Sequence, residues 1–197
     1  ITKGHGRLFW FASKDLSALR STPKKFDQFT TTPGVFSASN IDPGSELLAA
    51  ALPEGIKGDI ADLGAGWGYL SSKILTHDLV SSLDLIEADA TALECAKLNI
   101  NDPRANFHWN DATTWTGSYD SVIMNPPFHT ARLGNPDLGR AFITNAARNL
   151  RPKGDLWMVA NRHLPYEQVL NQCFESVVEI PGDSRFKLFQ SSRPKRK

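Results

Sequence analysis

Cysteine is scarce in this 197-residue chain, which has two of them. Cys95 and Cys173 lie far apart and match neither the spacing of a zinc site nor that of a redox pair. We therefore expect both to be small core residues. The five histidines form no metal-binding pattern such as HExxH. The sequence thus predicts a protein without a metal ion.

Long apolar runs are also missing. No stretch approaches the ~20 residues of a membrane span, and none resembles a signal peptide. With 41% hydrophobic and 22% charged residues, the composition is that of an ordinary globular protein that can build one sizeable core. We therefore expect a cytoplasmic protein with no membrane partner.

A large excess of charge is missing as well, because the net charge is only +1. Basic residues are nevertheless concentrated near the two ends of the chain: Lys3, Arg7, Lys14, Arg20, Lys24, Lys25, Arg193, Lys195, Arg196 and Lys197. Basic ends suit contact with nucleic acid phosphates, although solvated basic tails are at least as common.

The chain begins at Ile1 and not at a methionine, so we expect it to be part of a longer protein. Residues 7–11 resemble a strand, whereas residues 13–32 are polar and show no periodicity. We interpret residues 1–32 as a peripheral segment or linker, the tail of a preceding domain. Residues 33–197 then form the main domain.

From Gly58 onward, strand-like and helix-like segments alternate. The predicted strands are 59–63, 82–87, 105–109, 119–124, 155–160, 177–180 and 186–190. The predicted helices begin near Asp42, after Gly68, and near Asp89, Asp137 and Pro165. This alternation is typical of a doubly wound α/β sheet that is mostly parallel. Such a sheet binds its ligand at the carboxyl ends of its strands.

The most distinctive segment is residues 125–129, Asn-Pro-Pro-Phe-His, which follows a predicted strand. Two prolines end a central strand because neither has an N–H for the ladder, and a residue before proline is held extended. The corner therefore presents the Asn125 amide, the Pro126 carbonyl and the Phe128 ring together. Two acceptors beside a ring suit a flat substrate with an exocyclic amine. Taken alone, these residues are equally typical of an ordinary turn.

Three glycines, Gly64, Gly66 and Gly68, follow the first strand of the alternating region. A dinucleotide site uses GxGxxG to hold a pyrophosphate, and here Tyr69 stands at the third glycine of that pattern. The spacing disfavours a nicotinamide dehydrogenase. It suits a bulky ligand without phosphate, such as S-adenosylmethionine, although a tight turn has the same glycines.

Acidic residues lie at the ends of neighbouring predicted strands. Asp62 is the best candidate for the amino group of the methionine moiety. Glu87 can accept both ribose hydroxyls, although a solvated strand-end acid is the simpler interpretation. Asp111 can accept a hydrogen bond from the adenine amine. Several such residues at successive strand ends favour a nucleoside-containing cofactor.

These segments together resemble the ordered motifs of class I S-adenosylmethionine-dependent methyltransferases: residues 62–68, 85–87, 110–112 and 125–128. Further segments resemble the bacterial ribosomal RNA guanine-N2 methyltransferases: residues 34–48, 125–129, 160–166 and 185–187. The resemblance covers about residues 33–197. It implies a Rossmann-like, doubly wound sheet of seven strands, mostly parallel with an antiparallel C-terminal strand. In that family the catalytic domain follows a degenerate copy of the same fold, and residues 7–11 resemble the end of that copy.

The resemblance implies methyl transfer from S-adenosylmethionine to the exocyclic N2 amine of a guanine in ribosomal RNA or a ribosomal subunit. Asn125 and Pro126 would accept the protons of the amine and free its lone pair, and Phe128 would stack on the base. His129 would contact RNA or help to remove the proton, although it also fits a plain surface histidine. The residues expected beside the cofactor are Phe36, Asp62, Gly64, Gly66, Glu87, Asp111 and Asn125. Ser45 belongs either to this wall or only to the first turn of a helix.

Three other functions stay open at this stage. The same Asn-Pro-Pro-Phe corner serves adenine-N6 and protein glutamine-N5 methyltransferases, and only the flanking motifs favour guanine. A non-catalytic RNA-binding module could keep the fold, although the intact Asp62, Glu87, Asp111 and Asn125 argue against it. The target nucleotide and the oligomeric state are open.

Overall fold

A computed structural model describes residues 2–3, 6–7, 22–127, 129–130, 133–134 and 136–196. Its strands are β1 (Thr2–Lys3), β2 (Gly6–Arg7), β3 (Lys24–Phe26), β4 (Phe29–Thr31), β5 (Gly58–Leu63), β6 (Val80–Glu87), β7 (Ala105–Trp109), β8 (Tyr119–Met124), β9 (His129–Thr130), β10 (Leu133–Gly134), β11 (Leu150–Asn161), β12 (Phe174–Ile180) and β13 (Phe186–Pro194). Its helices are α1 (Pro43–Ala51), α2 (Tyr69–Ile74), α3 (Ala90–Asn99), α4 (Pro136–Asn149) and α5 (Glu167–Cys173).

Seven strands form the central sheet in the order β12-β13-β11-β8-β5-β6-β7. The strands from β11 to β7 in this order are parallel, and β13 runs antiparallel to both of its neighbours. The chain passes from β5 outward to β6 and β7 on one side, then returns to β8 on the other. The carboxyl ends of β5 and β8 therefore mark the switch point where doubly wound folds bind ligands. The predicted fold class is confirmed.

The core lies in two layers, one on each face of the sheet. Leu48 of α1, Ile74 of α2 and Cys95 of α3 pack on one face, and Ile143 of α4 and Leu170 of α5 pack on the other. The inner strands are buried on both faces, which explains their near-continuous apolar runs. The two faces together position the strand ends at the switch point.

Several strands begin earlier than predicted: β6 begins at Val80, β12 begins at Phe174, and β11 differs from its predicted start by the most residues. β11 starts at Leu150, directly after α4, and its register against β8 shifts between Leu150 and Asp155. The segment with Pro152 and Gly154 therefore lies within the strand as an irregularity, whereas the sequence pattern predicted a strand only from residue 155. A register shift of this kind depends on pairing with β8, which local sequence does not specify.

Residues 24–31 form the β3–β4 hairpin, although the sequence predicted no regular structure between residues 13 and 32. Phe29 is buried in the core, and the Phe26 ring contacts Trp67 edge to face. Asn99 of α3 holds the hairpin from the other side, accepting from the Thr30 N–H at 2.6 Å and donating to its carbonyl at 2.9 Å. Three-residue strands give too short an alternation to be recognised, and the partners are remote in sequence. The domain boundary at residue 32 stays a prediction.

The basic C-terminal residues dock on the fold and do not form a free tail. Pro194 pairs with Phe174 across β13 and β12, and the Arg196 guanidinium donates to the Leu150 carbonyl at 2.7 Å. Because β13 runs antiparallel to β11, the C-terminal end of β13 lies beside the amino ends of the parallel strands. It is therefore on the opposite side of the sheet from their carboxyl ends. Lys197 lies outside the described residues. Within the described chain, no helix has the length and apolar character needed to cross a membrane.

Candidate active site

The turn after β5 is built from three glycines with positive φ. The φ angles are 76° at Gly64, 56° at Gly66 and 90° at Gly68, values that side chains with a Cβ rarely adopt. A Cβ on Gly68 would lie 2.8 Å from the Ile100 Cδ1 atom, so this glycine lets α3 approach. A Cβ on Gly66 would meet no atom within 4 Å. Gly66 therefore borders open space, where a ligand can approach the backbone.

Glu87 ties the glycine turn to the end of β6. Its Oε2 accepts the Gly66 N–H at 2.8 Å, and its Oε1 accepts the Asp89 N–H at 2.7 Å. The half-buried carboxylate is thus anchored, and the interpretation of Glu87 as a merely solvated acid is wrong. Each oxygen keeps a lone pair that a ribose hydroxyl can use.

Asp62 near the end of β5 is fully buried. Its Oδ2 accepts the Ser71 hydroxyl at 2.6 Å, whereas its Oδ1 has no hydrogen-bond partner among the described residues. Burial raises the pKa of this carboxyl from 3.8 to about 7, opposed by the Ser71 hydroxyl and reinforced by the negative charge of Glu87. An orphaned carboxyl oxygen in the interior is costly unless a partner satisfies it. This oxygen suits a cationic group.

A narrow, open cleft lies in front of the glycine turn. Its walls are formed by Phe36, Ser37, Asp42, Ser45, Gly64, Ala65, Gly66, Trp67, Tyr69, Leu70 and Asn125. The Phe36 ring is 61% exposed at the rim, and the Phe36 carbonyl accepts the Trp67 indole N–H at 2.9 Å. The structure thus brings five of the predicted residues, Phe36, Ser45, Gly64, Gly66 and Asn125, around one cavity.

A second cleft, about 1100 Å³ in empty volume, opens at the amino ends of the parallel strands and is lined by residues such as Lys57, Asp120 and Arg151. None of the predicted site residues borders it. Since doubly wound sheets bind ligands at the carboxyl ends of their strands, the smaller cleft is the candidate active site.

The Asn125 amide has a defined orientation after β8. Its Nδ2 donates to Asp42 Oδ2 and to Ser45 Oγ, both at 2.8 Å. The atom that faces Asp42 must be the nitrogen, because an ionised carboxylate has no proton to donate. No described residue donates to the Asn125 Oδ1. Among the described residues the Asn125 Oδ1 is thus an acceptor without a partner, and Asn125 lines the cleft.

Of the other predicted residues, the structure describes Asp111 and Pro126 fully, His129 only in its backbone and Phe128 not at all. Asp111 is exposed after β7, and its Oδ1 accepts the N–H and the hydroxyl of Thr113 at 2.8 and 2.7 Å, which leaves its second oxygen for a ligand. Pro126 is buried beside Asn125. Phe128 lies outside the described residues, and for His129 the structure describes only its backbone in β9, paired with Gly134.

One of the two residues that hold the Asn125 amide was not predicted as a site residue. Asp42 was expected only as the N-cap of α1, and it does accept the Ser45 N–H at 2.8 Å. Its contact with Asn125 joins positions 83 residues apart, which no local pattern indicates. Its place in the family-like segment 34–48 was the available signal. Among the described residues no cluster of three or more metal-ligating side chains occurs.

The fold and the arrangement at its switch point define a class I methyltransferase. The chain belongs to the methyltransferase small domain family, which matches residues 27–190. Membership in this family confirms the methyltransferase resemblance predicted from the motifs.

Named relatives agree with this family. Ribosomal RNA small subunit methyltransferase C of Salmonella choleraesuis is 32% identical over 202 residues, which cover 95% of this chain and 56% of that protein. The Klebsiella pneumoniae protein of the same name is 35% identical over 167 residues, covering 82% and 48%. A T. thermophilus 16S rRNA N2 G1207 methyltransferase, solved with AdoMet and guanosine, superposes with a TM-score of 0.71 at 28% identity, covering 88% and 50%. The chain spans about half the length of these relatives.

Proposed function

We propose that this protein is an S-adenosylmethionine-dependent methyltransferase that acts on the exocyclic N2 amine of a guanine in ribosomal RNA. The orientation of the Asn125 amide carries the assignment of methyl transfer to an amine. Its nitrogen is engaged by Asp42 and Ser45, so its oxygen is left at the cleft to accept a proton from a substrate amine.

The acidic residues at the strand ends, which lie behind or beside the cleft walls, fit the cofactor. The orphaned Oδ1 of the buried Asp62 would accept the ammonium group of the methionine moiety, which supplies the missing partner. Glu87, fixed by the Gly66 N–H, would accept the ribose hydroxyls, and the free oxygen of Asp111 would accept the adenine amine. The open space at Gly66 leaves room for a ligand against the backbone. Phe36 at the rim would cover it.

An exocyclic amine is a weak nucleophile because its lone pair is delocalised into the ring. The Asn125 Oδ1 and the Pro126 carbonyl would each accept one amine proton, which makes the nitrogen more pyramidal and localises the lone pair. S-adenosylmethionine, when bound, would supply a methyl group on a cationic sulfur. The amine nitrogen would bond to the methyl carbon as the S–C bond breaks, S-adenosylhomocysteine would leave, and the surplus amine proton would pass to solvent. The protein then contributes mainly positioning and oriented dipoles. We propose that Phe128 stacks on the extruded base and that His129 contacts the RNA.

The choice of guanine in ribosomal RNA is supported by the relatives. Two are ribosomal RNA small subunit methyltransferases by name, and one solved structure is that of a 16S rRNA N2 methyltransferase with guanosine bound. The Asn125 corner alone would equally suit adenine-N6 or glutamine-N5 transfer. We infer that small-subunit RNA, free or assembled, is the partner and that the protein acts in the cytoplasm. The docked basic residues Lys195 and Arg196 would contact phosphates away from the target base.

The test is to incubate the protein with methyl-labelled S-adenosylmethionine and with free 16S RNA or small subunits that lack the modification. We expect label in one guanine N2 position, mapped by nuclease digestion and mass spectrometry. An adenine oligonucleotide and a glutamine peptide serve as competing substrates, and Asn125→Ala is the inactive control. Label on adenine or glutamine would overturn the substrate assignment. No transfer to any acceptor, with cofactor bound, would favour the non-catalytic RNA-binding module.

A further inference from the structure

A single carboxyl oxygen of Asp42 accepts hydrogen bonds from two elements of the fold, the start of α1 and the corner after β8. Its Oδ2 accepts the Ser45 N–H at 2.8 Å, which caps α1, and the Asn125 Nδ2 at 2.8 Å. Ser45 Oγ takes the second proton of the same amide at 2.8 Å. Both protons of the Asn125 amide are therefore directed toward the start of α1.

This contact decides which way the amide faces. A side-chain amide has two orientations that fill nearly the same space and differ in which atom points outward. If the Asn125 amide turned over, its Oδ1 would face the Asp42 carboxylate with no proton between two acceptors. Its Nδ2 would then face the cleft, where it offers donors to an amine that also needs to donate. The flipped orientation would therefore be disfavoured by repulsion at Asp42, and it would also remove the acceptor that the proposed reaction needs.

The carboxylate also affects the strength of the acceptor. A hydrogen bond to an ionised acceptor is shorter and stronger than one between neutral groups. Hydrogen bonds arranged in a chain polarise one another. Electron density drawn toward the Asn125 oxygen by this bond would make that oxygen a better acceptor for the substrate proton.

We propose that Asp42 is a positioning residue for methyl transfer, which fixes and polarises the Asn125 amide without touching the reacting atoms. This inference rests on the proposed function. Two simpler roles compete with it: Asp42 acts only as the cap of α1, or its carboxylate binds the cofactor directly from the wall of the cleft.

Three substitutions at one position separate these roles. Asp42→Asn keeps an oxygen for both the Ser45 N–H and the Asn125 amide but removes the charge. Asp42→Ser keeps a good helix cap, because serine caps helices about as well as aspartate, but its shorter side chain cannot also reach Asn125. Asp42→Ala removes both contacts. Asp42→Ser is therefore the variant that removes the contact with Asn125 while keeping the helix cap.

We expect the three variants to rank differently in kcat and in melting temperature. The kcat should fall by about tenfold to a hundredfold in both Asp42→Ser and Asp42→Ala, as for loss of an oriented acceptor. It should fall by a smaller factor, about threefold to tenfold, in Asp42→Asn, which keeps the contact but loses the charge. The melting temperature should fall only in Asp42→Ala. Cofactor affinity, measured by calorimetry, should change by less than about threefold in all three variants.

Each alternative gives a different result. If Asp42→Ser turns over like the wild type, Asp42 is only a cap and the inference is overturned, while the proposed function stands. If cofactor affinity falls with kcat in all three, Asp42 is a cofactor ligand and the inference is again overturned. Wild-type protein that transfers no methyl group overturns the proposed function itself.

A readout without turnover is nitrogen-15 NMR of the Asn125 amide protons, which should lose protection from exchange in Asp42→Ser but keep it in Asp42→Asn.

Discussion

Replacing Asp62 with asparagine should stabilise the protein at neutral and alkaline pH. Burial raises the pKa of the Asp62 carboxyl from 3.8 to about 7. Between these values the folded protein keeps a proton that the unfolded chain has lost. Because the folded state binds more protons in this window, the stability that this group contributes is greatest below about pH 4 and is lost as the pH rises to about 7.

The magnitude follows from the size of the shift. At 1.36 kcal/mol per pKa unit, a rise from 3.8 to about 7 corresponds to ~4 kcal/mol in the free energy of unfolding. Roughly half of this is lost between pH 5 and pH 7. Asparagine is neutral at every pH and keeps an oxygen for the Ser71 hydroxyl, so it mimics the protonated carboxyl.

Urea unfolding of the wild type and Asp62→Asn at pH 5 and pH 8 measures this effect. The variant should gain about 2 to 3 kcal/mol relative to the wild type between the two pH values. Glu94→Gln removes an exposed carboxylate from α3, and its difference from the wild type should stay constant within about 0.5 kcal/mol. A constant difference for Asp62→Asn as well would refute the reasoning, because the buried carboxyl would then titrate at its ordinary pKa.

The pH dependence of cofactor affinity is a second test of the Asp62 carboxyl. An ammonium group beside Asp62 favours the ionised form, so binding to the wild type should release a proton below pH 7. The affinity for S-adenosylmethionine should then rise from pH 5 to pH 7.5 more steeply in the wild type than in Asp62→Asn. Identical pH profiles would remove Asp62 from the cofactor site.

Four further predictions concern other parts of the molecule. Asn125→Ala should lower the methyl-transfer rate on the order of a hundredfold or more with cofactor affinity nearly intact, whereas Asn125→Asp, which keeps an acceptor and adds a charge beside the sulfonium, should retain some activity. S-adenosylmethionine should raise the melting temperature and NAD should not, and Glu87→Ala should weaken the response. Gly68→Ala should destabilise by about 2 kcal/mol or more, seen in urea unfolding, because it combines a positive φ with a contact on Ile100. Replacing the docked Arg196 with glutamine should flatten the salt dependence of RNA affinity; an unchanged slope would mark it as structural.

Much of the sheet could be predicted because most of its elements are specified locally. β7 and β8 have the predicted bounds, since short apolar runs flanked by polar turns define buried strands. The start of α1 was predicted for the same reason, because Asp42 followed by proline is a local cap signal. Strand ends then placed the candidate residues at one edge of the sheet.

What could not be predicted depends on contacts between distant segments. The β3–β4 hairpin is stabilised by Asn99, which lies 69 residues from Thr30. The anchoring of Glu87 by the glycine turn, and the docking of Arg196 on Leu150, likewise need the folded sheet. Sequence patterns identify which residues have useful chemistry, whereas the partners that orient them come from tertiary packing.

Trp67 gives the protein an intrinsic optical reporter. Its ring is 4% exposed and contacts Phe26, Phe29 and Tyr69, while its indole N–H is hydrogen-bonded to the Phe36 carbonyl at 2.9 Å. Because Trp67 also lines the cleft, a ligand that enters changes the polarity beside a fluorophore that bulk water hardly reaches. Comparing the emission of the wild type with that of Trp67→Phe would therefore follow ligand entry in real time without a label.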